Sequence, residues 1–462
     1  MGIDSNQSRR AFLKRSAALG IAGTAAPFVT NLAAIGEAAA ATASDYRALV
    51  CVFLYGGNDY ANTLPPYDAA SYAQYQAARA VLAHPRDALA ATLLDPVTPL
   101  AGGRQYALAP TLAPLLPIWT AGRLATILNV GTLVQPTTKA QYQAGSVQLP
   151  PKLFSHNDQQ SFWQASSPEG AASGWGGRIG DLFQAGNGNA TLTCINASGN
   201  AVFMTGRTAV QYSVGPNGPV PLLANASSLF GSSVAASTLR QLMTATGTSP
   251  FTSEHATISR RALDSYAQVN SALAGAPAAN FGLFPSGNSL ADQLRIVARL
   301  ISVSQELGAR RQVFFVSIGG WDLHDNLAAQ HPGLLGTVAN ALRAFYDTTV
   351  ALGVADRVTT FTASDFGRTL AANDDGSDHG WGSMHFVLGG AVRGRRFYGT
   401  PPLIGNNTAD DVGQGRLLPG ISVDQYAATL ATWFGVSAGQ MSTVLPNIGN
   451  YNASTWDLGF LG

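Results

Sequence analysis

The chain has an apolar, β-prone run at residues 46–55, YRALVCVFLY, which ends at Gly56-Gly57. A run without polar alternation predicts a strand that is buried on both faces. Further runs of this kind lie at 123–131, 310–320 and 357–367, with a shorter one at 385–390. Helical patterns lie between them, notably at 289–307 and 333–353. Strands that alternate with helices predict an α/β fold with a mostly parallel central sheet and helices on both faces.

The region 186–250 interrupts this alternation. It is rich in Gly, Asn, Ala and Val, and its short β-prone pieces are joined by turn residues. Internal repeats are not evident, and Pro/Gly-rich points such as 276–287 are typical of loops. We therefore interpret 186–250 as an insertion or cap within a single domain that spans 43–462.

Overall composition excludes some classes of protein. Hydrophobic residues make up 46% of the 462 residues, which is enough for a large core and argues against disorder. The formal net charge of +1 lacks the basic surplus of a nucleic-acid-binding protein. The sequence has no haem, flavin or iron–sulfur motif, so it gives no support to a redox function.

The N-terminal segment, residues 1–42, has the pattern of a twin-arginine export signal. SRRAFLK at 8–14 is followed by an Ala/Gly-rich stretch and by small residues suited to cleavage near 40–43. The pattern predicts export of the folded protein by the twin-arginine translocase, to the periplasm or outside the cell. The apolar stretch is broken by Gly, Thr and Pro and is shorter than the ~20 residues that span a bilayer, so we expect no stable membrane anchor.

The two cysteines leave two alternatives open. An oxidising destination permits a disulfide between Cys51 and Cys194. Cys51 also lies inside the first apolar run, where a buried free thiol is equally compatible with the sequence.

Polar residues follow the predicted strands at their carboxyl ends, where ligands collect in open α/β sheets. Asp59 follows the first strand in YGGND, and Asp365 ends another in TASDFG. Asp322 and His324 follow a third in GGWDLHDN; their i, i+2 spacing in an extended segment points both side chains the same way. A carboxylate with an imidazole suits zinc, manganese or iron rather than calcium. The alternative reading makes Asp59 and Asp322 turn residues and His324 a surface imidazole.

Acids and imidazoles crowd into residues 364–385, although charged residues are only 11% of the chain against roughly 25% in ordinary soluble proteins. Asp374 and Asp375 in AANDDGS are typical of a solvated turn. Asp378 and His379 are better ligand candidates, because a Gly-Trp-Gly turn and a strand follow directly. His385 begins that strand, which favours a structural role.

Ser155 and His156 lie in PPKLFSHNDQQSFWQ, at the start of a predicted helix. Ser155 with Asp158 matches a capping box. Ser155 is also a candidate nucleophile, since a helix N-terminus and nearby metals would lower the pKa of its hydroxyl. His156 is a candidate metal ligand or general acid.

Several motifs together resemble an exported bacterial family known as domain-of-unknown-function family 1501. They are GGNDYANTLPPY, LFSHNDQQSFW, GGWDLHDN, SDFGRT with DHGWGSMHFVLGGAVRG, and LPGISVDQYAATLATWFG. The family resembles a distant branch of the alkaline phosphatase and sulfatase superfamily. That resemblance implies an alkaline-phosphatase-like three-layer sandwich and a hydrolase with one or two divalent ions, zinc or manganese, on strand-end loops.

The resemblance assigns roles to individual residues. It implies that Asp59 binds one metal, and that Asp322 and His324 are the acid and imidazole of the other. Asp365 resembles the acid of an Asp-His pair. Two further positions complete the match: His379 resembles a late histidine ligand, and Ser155 stands roughly where the nucleophile lies.

The chain also departs from the superfamily pattern. Phe366 follows Asp365 where a histidine is expected, so either His156 or Asp378 replaces the missing ligand, or only one metal binds. The Cys/Ser-x-Pro-x-Arg motif of formylglycine sulfatases is absent. Arg368 could clamp an anionic oxygen, although an arginine at this place is more often an ion-pair partner.

Two functions remain open at this point. The first is an exported metal-dependent hydrolase that acts on phosphate, sulfate or related anionic esters. The second is an exported binding or assembly protein that keeps the fold without catalysis, an alternative that Phe366 favours.

Overall fold

A computed structural model of the protein describes residues 46–462; the predicted twin-arginine signal lies outside the described residues. The strands are β1 Arg47–Leu54, β2 Leu124–Gly131, β3 Cys194–Asn196, β4 Gln211–Gly215, β5 Gly218–Pro219, β6 Arg311–Ile318, β7 Val358–Ser364, β8 Arg368–Asn373, β9 Gly376–His379, β10 Ser383–Gly389, β11 Arg396–Tyr398 and β12 Ile421–Ser422. Each of the five apolar runs forms a strand, as their composition predicts.

The α-helices are α1 Tyr60–Thr63, α2 Ala69–Arg79, α3 Arg86–Leu89, α4 Leu116–Thr120, α5 Lys139–Ala144, α6 His156–Ala165, α7 Trp175–Phe183, α8 Ser233–Thr244, α9 Pro250–Ala274, α10 Ser289–Ser302, α11 Leu327–Ala351, α12 Val423–Phe434 and α13 Met441–Val444. The two long predicted helical patterns correspond to α10 and α11. Within the described range, none of the helices is long and apolar enough to cross a membrane.

The central sheet has ten strands in the order β11-β2-β10-β7-β1-β6-β3-β4-β5, with β12 paired to β2. β1 lies between β6 and β7 and runs parallel to both. β10 is antiparallel to its neighbours β7 and β2, whereas β3 is parallel to β6. β8 and β9 form a separate two-stranded hairpin. The predicted α/β fold with a mostly parallel central sheet is thereby confirmed.

Strand β1 shows why the apolar runs have no polar alternation. Its residues 48, 50, 52 and 54 pack into a core that includes side chains of α10 and α11. Its residues 49, 51 and 53 pack on the other face into a core that includes α7 and α12. Helices therefore cover both faces of the sheet, and every position of β1 from Ala48 to Leu54 faces an apolar layer.

The cysteines lie in the second of these cores as free, buried thiols. Burial raises the pKa of both thiols, that of Cys194 to about 12. The structure thus shows the free-thiol alternative rather than a disulfide.

The region 186–250 contributes directly to the sheet. β3 pairs with β6, and β4 and β5 continue the sheet outward from β3. Its first part is therefore an extension of one sheet edge, and α8 follows that extension.

The β8–β9 hairpin packs closely against the loop that follows β6. A Cβ atom at Gly376 would overlap the carbonyl oxygen of His324. Gly376 therefore lets the hairpin approach this loop, which brings residues distant in sequence to the same edge of the sheet.

We expect Gly376→Ala to lower the free energy of unfolding by about 1–3 kcal/mol, the usual cost of overpacking a tight contact. Gly319→Ala is the matched control, because a Cβ atom there meets open space. Chemical denaturation of both variants tests this. Equal stability of the two variants would show that the close approach of the hairpin is not needed.

Candidate metal centre

Three parallel strands end at one edge of the sheet, and each is followed by a loop with polar residues. β1 leads into Gly56-Gly57, β6 into Asp322 and His324, and β7 directly into Asp365. Gly56 has a φ of +122°, and a Cβ atom there would overlap the backbone nitrogen of Asp322. Glycine at this position therefore allows the first two loops to touch.

Four side chains converge beside these loops. Nε2 of His379 lies 3.0 Å from Nε2 of His156 and 3.0 Å from Nε2 of His324. Oδ1 of Asp322 lies 3.1 Å from the His379 nitrogen and 3.0 Å from the His324 nitrogen. Its Oδ2 lies 3.3 Å from Nε2 of His156. Three imidazoles and one carboxylate thus face a common point.

The second nitrogen of each imidazole contacts an oxygen outside this point. The Nδ1 contacts are His156 with Asp365 Oδ2 at 2.7 Å, His324 with Asp378 Oδ1 at 3.3 Å, and His379 with the carbonyl of Phe154 at 2.7 Å. A carboxylate or a carbonyl can only accept a hydrogen bond, so each Nδ1 carries the proton. In the neutral rings, each Nε2 then presents a lone pair inward, and three lone pairs this close repel one another unless a proton or a cation lies between them.

The separations within His156, Asp322 and His379 match those between ligands of one metal. Nitrogen and oxygen ligands lie about 2.0–2.1 Å from zinc, so neighbouring ligand atoms in a tetrahedron are about 3.3 Å apart. The inward atoms lie 3.0–3.3 Å apart in the contacts given above. His156, Asp322 and His379 form a group whose ligand atoms all lie within 4.8 Å of one another, and the fourth group, His324, contacts two of its members.

The local electrostatics set the ionisation of these groups. Burial raises the pKa of Asp322, but the hydrogen bond and charge of Arg368 outweigh burial and lower it. Burial lowers the pKa of His379, and the charges of His156 and Arg368 act in the same direction. A carboxylate and a neutral imidazole are the forms that bind metals. Burial also lowers the pKa of His156, but Asp365 and Asp322 outweigh burial and raise it.

Asp365 and Asp378, predicted as metal ligands, lie on the outer side of the imidazoles. Asp365 is buried and also accepts hydrogen bonds from the backbone of Gly56 at 3.1 Å and from Gln160 at 2.8 Å. Asp378 also accepts a hydrogen bond from Asn373 at 2.6 Å. Both carboxylates therefore orient histidines, and their role as direct metal ligands stays a prediction.

Asp59, the other predicted ligand, lies outside the converging group. It caps the N-terminus of α1 by accepting a hydrogen bond from Ala61, and it forms an ion pair with Arg79. Both side chains of this pair are buried. A buried cation therefore already pairs with Asp59, and its assignment to a metal stays a prediction.

Ser155 and Arg368, the other two predicted catalytic residues, both form hydrogen bonds with nearby residues. Ser155 precedes α6 and donates its hydroxyl hydrogen to Oδ2 of Asp158 at 3.0 Å. Arg368 is fully buried and donates to Oδ1 of Asp322 at 2.7 Å and to the carbonyl of Ser377. Arg368 is thus an ion-pair partner that holds Asp322, which corrects its prediction as an anion clamp.

Phe366 occupies the place where a histidine was expected. Its ring centroid lies 4.8 Å from the rings of both His156 and His379. His156 takes up the position beside Asp365 through its Nδ1 contact. The aromatic side chain therefore forms a wall against two of the converging imidazoles.

Sequence reasoning missed three residues that support the centre. Gln160 lies one helical turn after His156 on α6, a spacing that could have identified it. Asn373 ends β8 and its side chain bonds Asp378 of β9, but its sequence gives no such signal. Phe154 contributes a carbonyl from a backbone with a φ of +72°, which no side-chain pattern could reveal.

The other acidic and histidine residues of 364–385 have structural roles. Asp374 and Asp375 form the turn between β8 and β9, in agreement with the predicted turn. His385 is buried between Trp163 and Tyr426, and burial lowers its pKa to about 3.

Comparison with known proteins identifies the family. Residues 46–436 match the model of a family described as a protein of unknown function, DUF1501, the family that the motifs resemble. None of the curated proteins matches the chain. Among solved structures, the lipoteichoic acid synthase LtaP from Listeria monocytogenes matches 88% of this chain and 76% of its own, with 9% identity and a TM-score of 0.34.

We expect Asp365→Asn to weaken the binding of a divalent metal about 10- to 100-fold, because the orienting partner of His156 loses its charge. Asp375→Asn, in the exposed hairpin turn, is the matched control. Titration against a chelating metal indicator measures both affinities. An unchanged affinity in Asp365→Asn would mean that His156 needs no orienting carboxylate.

His331, a buried histidine outside the converging group, leads to a prediction about the pH dependence of stability. His331 is buried on α11, its ring bonds Oδ1 of Asn58 at 3.1 Å, and burial lowers its pKa from 6.5 to about 4. Below pH 6.5 the unfolded chain binds a proton that the folded chain rejects, so stability falls as the pH drops towards 4. His331→Gln should remove up to about 3 kcal/mol of this loss.

Denaturant unfolding at a series of pH values measures the effect. His255→Gln, on the exposed surface of α9, is the control and should retain the pH dependence of the wild type. An equally steep loss in His331→Gln would assign the acid sensitivity to other groups.

Proposed function

The chain belongs to the DUF1501 family, and from the converging imidazoles we propose that it is an exported metal-dependent hydrolase of phosphate, sulfate or related anionic esters. The observation that carries the proposal is the common point faced by Nε2 of His156, His324 and His379 and by the carboxylate of Asp322. This donor set suits zinc or manganese. His156, Asp322 and His379 form a compact group for one ion, and His324 contacts two of its members.

Export is part of the same proposal. The pattern of residues 1–42 supports passage through the twin-arginine translocase to the periplasm or beyond. That route carries folded proteins, so the metal could be acquired before export.

The protein's own residues prepare the centre in three ways. Arg368 holds Asp322 ionised and in place, while Asp365 fixes the ring and the proton of His156. Phe366 shields the faces of two imidazoles. A bound divalent cation would supply Lewis acidity towards an ester oxygen and would lower the pKa of water.

Ser155 is the proposed nucleophile. It directly precedes His156, which places it beside a ligand of the centre. Its hydroxyl hydrogen already points to Oδ2 of Asp158 at 3.0 Å, so Asp158 can accept the proton when Oγ of Ser155 attacks the phosphorus or sulfur atom. The substrate's ester bond breaks, the alcohol leaves and takes a proton from water, and a second water then hydrolyses the ester on Ser155. Asp158 itself is 3% exposed, and Lys152 lies 3.5 Å from its Oδ2.

One observation favours the second function, an exported binding or assembly protein. The arginine that could have held an anionic ester, Arg368, is fully buried and committed to Asp322. A metal centre whose nearest arginine is committed to a ligand would suit a structural or binding role as well as catalysis. The two functions predict the same metal content and differ in turnover.

The first test is elemental analysis of protein purified from the periplasm. We expect about one zinc or manganese ion per chain in the wild type and its loss in an Asp322→Ala/His379→Ala double variant. Ser155→Ala is the control and should retain the metal, since Ser155 is not among the converging groups. A wild type without stoichiometric metal, even after reconstitution, would overturn the hydrolase proposal.

The second test is a screen of the metal-loaded protein with aryl phosphate, aryl phosphodiester and aryl sulfate substrates. We expect turnover of one class, absent in the double variant and at least about 100-fold lower in Ser155→Ala. Turnover that survives in Ser155→Ala would assign the attack to water. Metal content without turnover of any ester would support the binding protein instead.

A further inference from the structure

Exposed apolar side chains are concentrated in one part of the described chain, residues 210–258, hereafter the 210–258 surface. Of the fourteen large hydrophobic residues that are exposed in the described range, nine lie in this segment of about 50 residues. Its members are Val210, Val220, Leu222, Leu223, Phe230, Val234, Leu242, Phe251 and Ile258. Such a concentration marks an interaction surface.

The helices of this surface have little of their own core. α8 has a single buried residue, Ala236, and it packs against α9. Phe251 and Ile258 are seven residues apart and therefore lie on one face of α9, where they are 87% and 47% exposed. Phe230, just before α8, is fully exposed. The second half of α9 is partly buried, but apolar side chains of α8 and of the first turns of α9 lack a partner among the described residues.

Arginines lie in and directly beside this segment. Residues 210–258 contain one arginine, Arg240, and one glutamate, Glu254. The flanking residues Arg207, Arg260 and Arg261 give the wider range 207–261 a net charge of +3. Arg240 donates to the carbonyl of Ala224, and Arg260 donates to that of Thr244. These bonds hold the two guanidinium groups next to Leu223 and near Leu242. The apolar residues are therefore bordered by fixed cations.

We infer that the 210–258 surface docks on an anionic lipid bilayer. Aromatic and aliphatic side chains bordered by arginine are suited to the boundary between headgroups and acyl chains, where they bury apolar area while the cations meet lipid phosphates. A second copy of the chain is a poorer occupant. A symmetric dimer through this surface would bring two positively charged patches together, which opposes association.

The experiment is flotation of the full chain with vesicles, one set of phosphatidylcholine alone and one with an equal part of phosphatidylglycerol. We expect binding to the anionic vesicles that weakens as salt is added. Phe230→Ser/Phe251→Ser should lower the partition constant at least about tenfold, because two exposed aromatic side chains no longer enter the bilayer. Arg260→Gln/Arg261→Gln should lower binding to anionic vesicles only.

The matched control is Val350→Ser/Leu403→Ser, which removes apolar side chains that are 51% and 49% exposed elsewhere on the protein. It should bind like the wild type. All variants keep residues 1–45, so a difference between them belongs to the 210–258 surface. Circular dichroism melting confirms that each variant is folded.

Three outcomes would overturn the inference. They are the absence of binding to anionic vesicles, equal binding to both vesicle types, and unchanged binding in Phe230→Ser/Phe251→Ser. Sedimentation of the same proteins without lipid tests whether a second copy of the chain covers the 210–258 surface instead. A dimer that dissociates in the phenylalanine variant, together with an absence of vesicle binding, would assign the surface to a second copy.

Discussion

The buried carboxylate of Asp365 is the interaction on which the centre depends. It accepts hydrogen bonds from the turn after β1, through Gly56, and from two residues of α6, His156 and Gln160. Since Asp365 itself ends β7, one carboxylate connects two neighbouring strand ends with a helix. A carboxylate buried without bonded partners would be costly, so these donors offset its burial while it fixes their positions. The orientation of His156 follows from this arrangement.

Much of the fold could be predicted from the sequence, because burial on both faces leaves a direct mark on composition. In β1 the side chains from Ala48 to Leu54 are all apolar, since alternate residues enter two different cores. The outer strands β3, β4 and β5 were harder to recognise. They are short, and only a few of their residues enter a core, so their sequences resemble those of turns.

The centre could be located from the sequence but not resolved into roles. His156, Asp322, His324 and His379 were all identified, since imidazoles and acids at strand ends are rare in a chain with so few charges. Which carboxylate faces inward is a different question. Asp322, Asp365 and Asp378 all lie at or near strand ends, so their positions in the sequence do not separate them. The side-chain directions do: Asp322 faces the Nε2 atoms, whereas Asp365 and Asp378 accept hydrogen bonds from Nδ1 atoms.

The converging side chains come from the start of α6, the loop after β6 and the end of β9, which lie far apart in the sequence. Any ion held between them would close long loops of the chain, as a covalent cross-link does. The cysteines of this protein are free thiols, so that role is not filled by a disulfide between them. A bound metal would then act as a reversible cross-link that stabilises the native fold. The supply of metal would govern the lifetime of the folded chain as well as its chemistry.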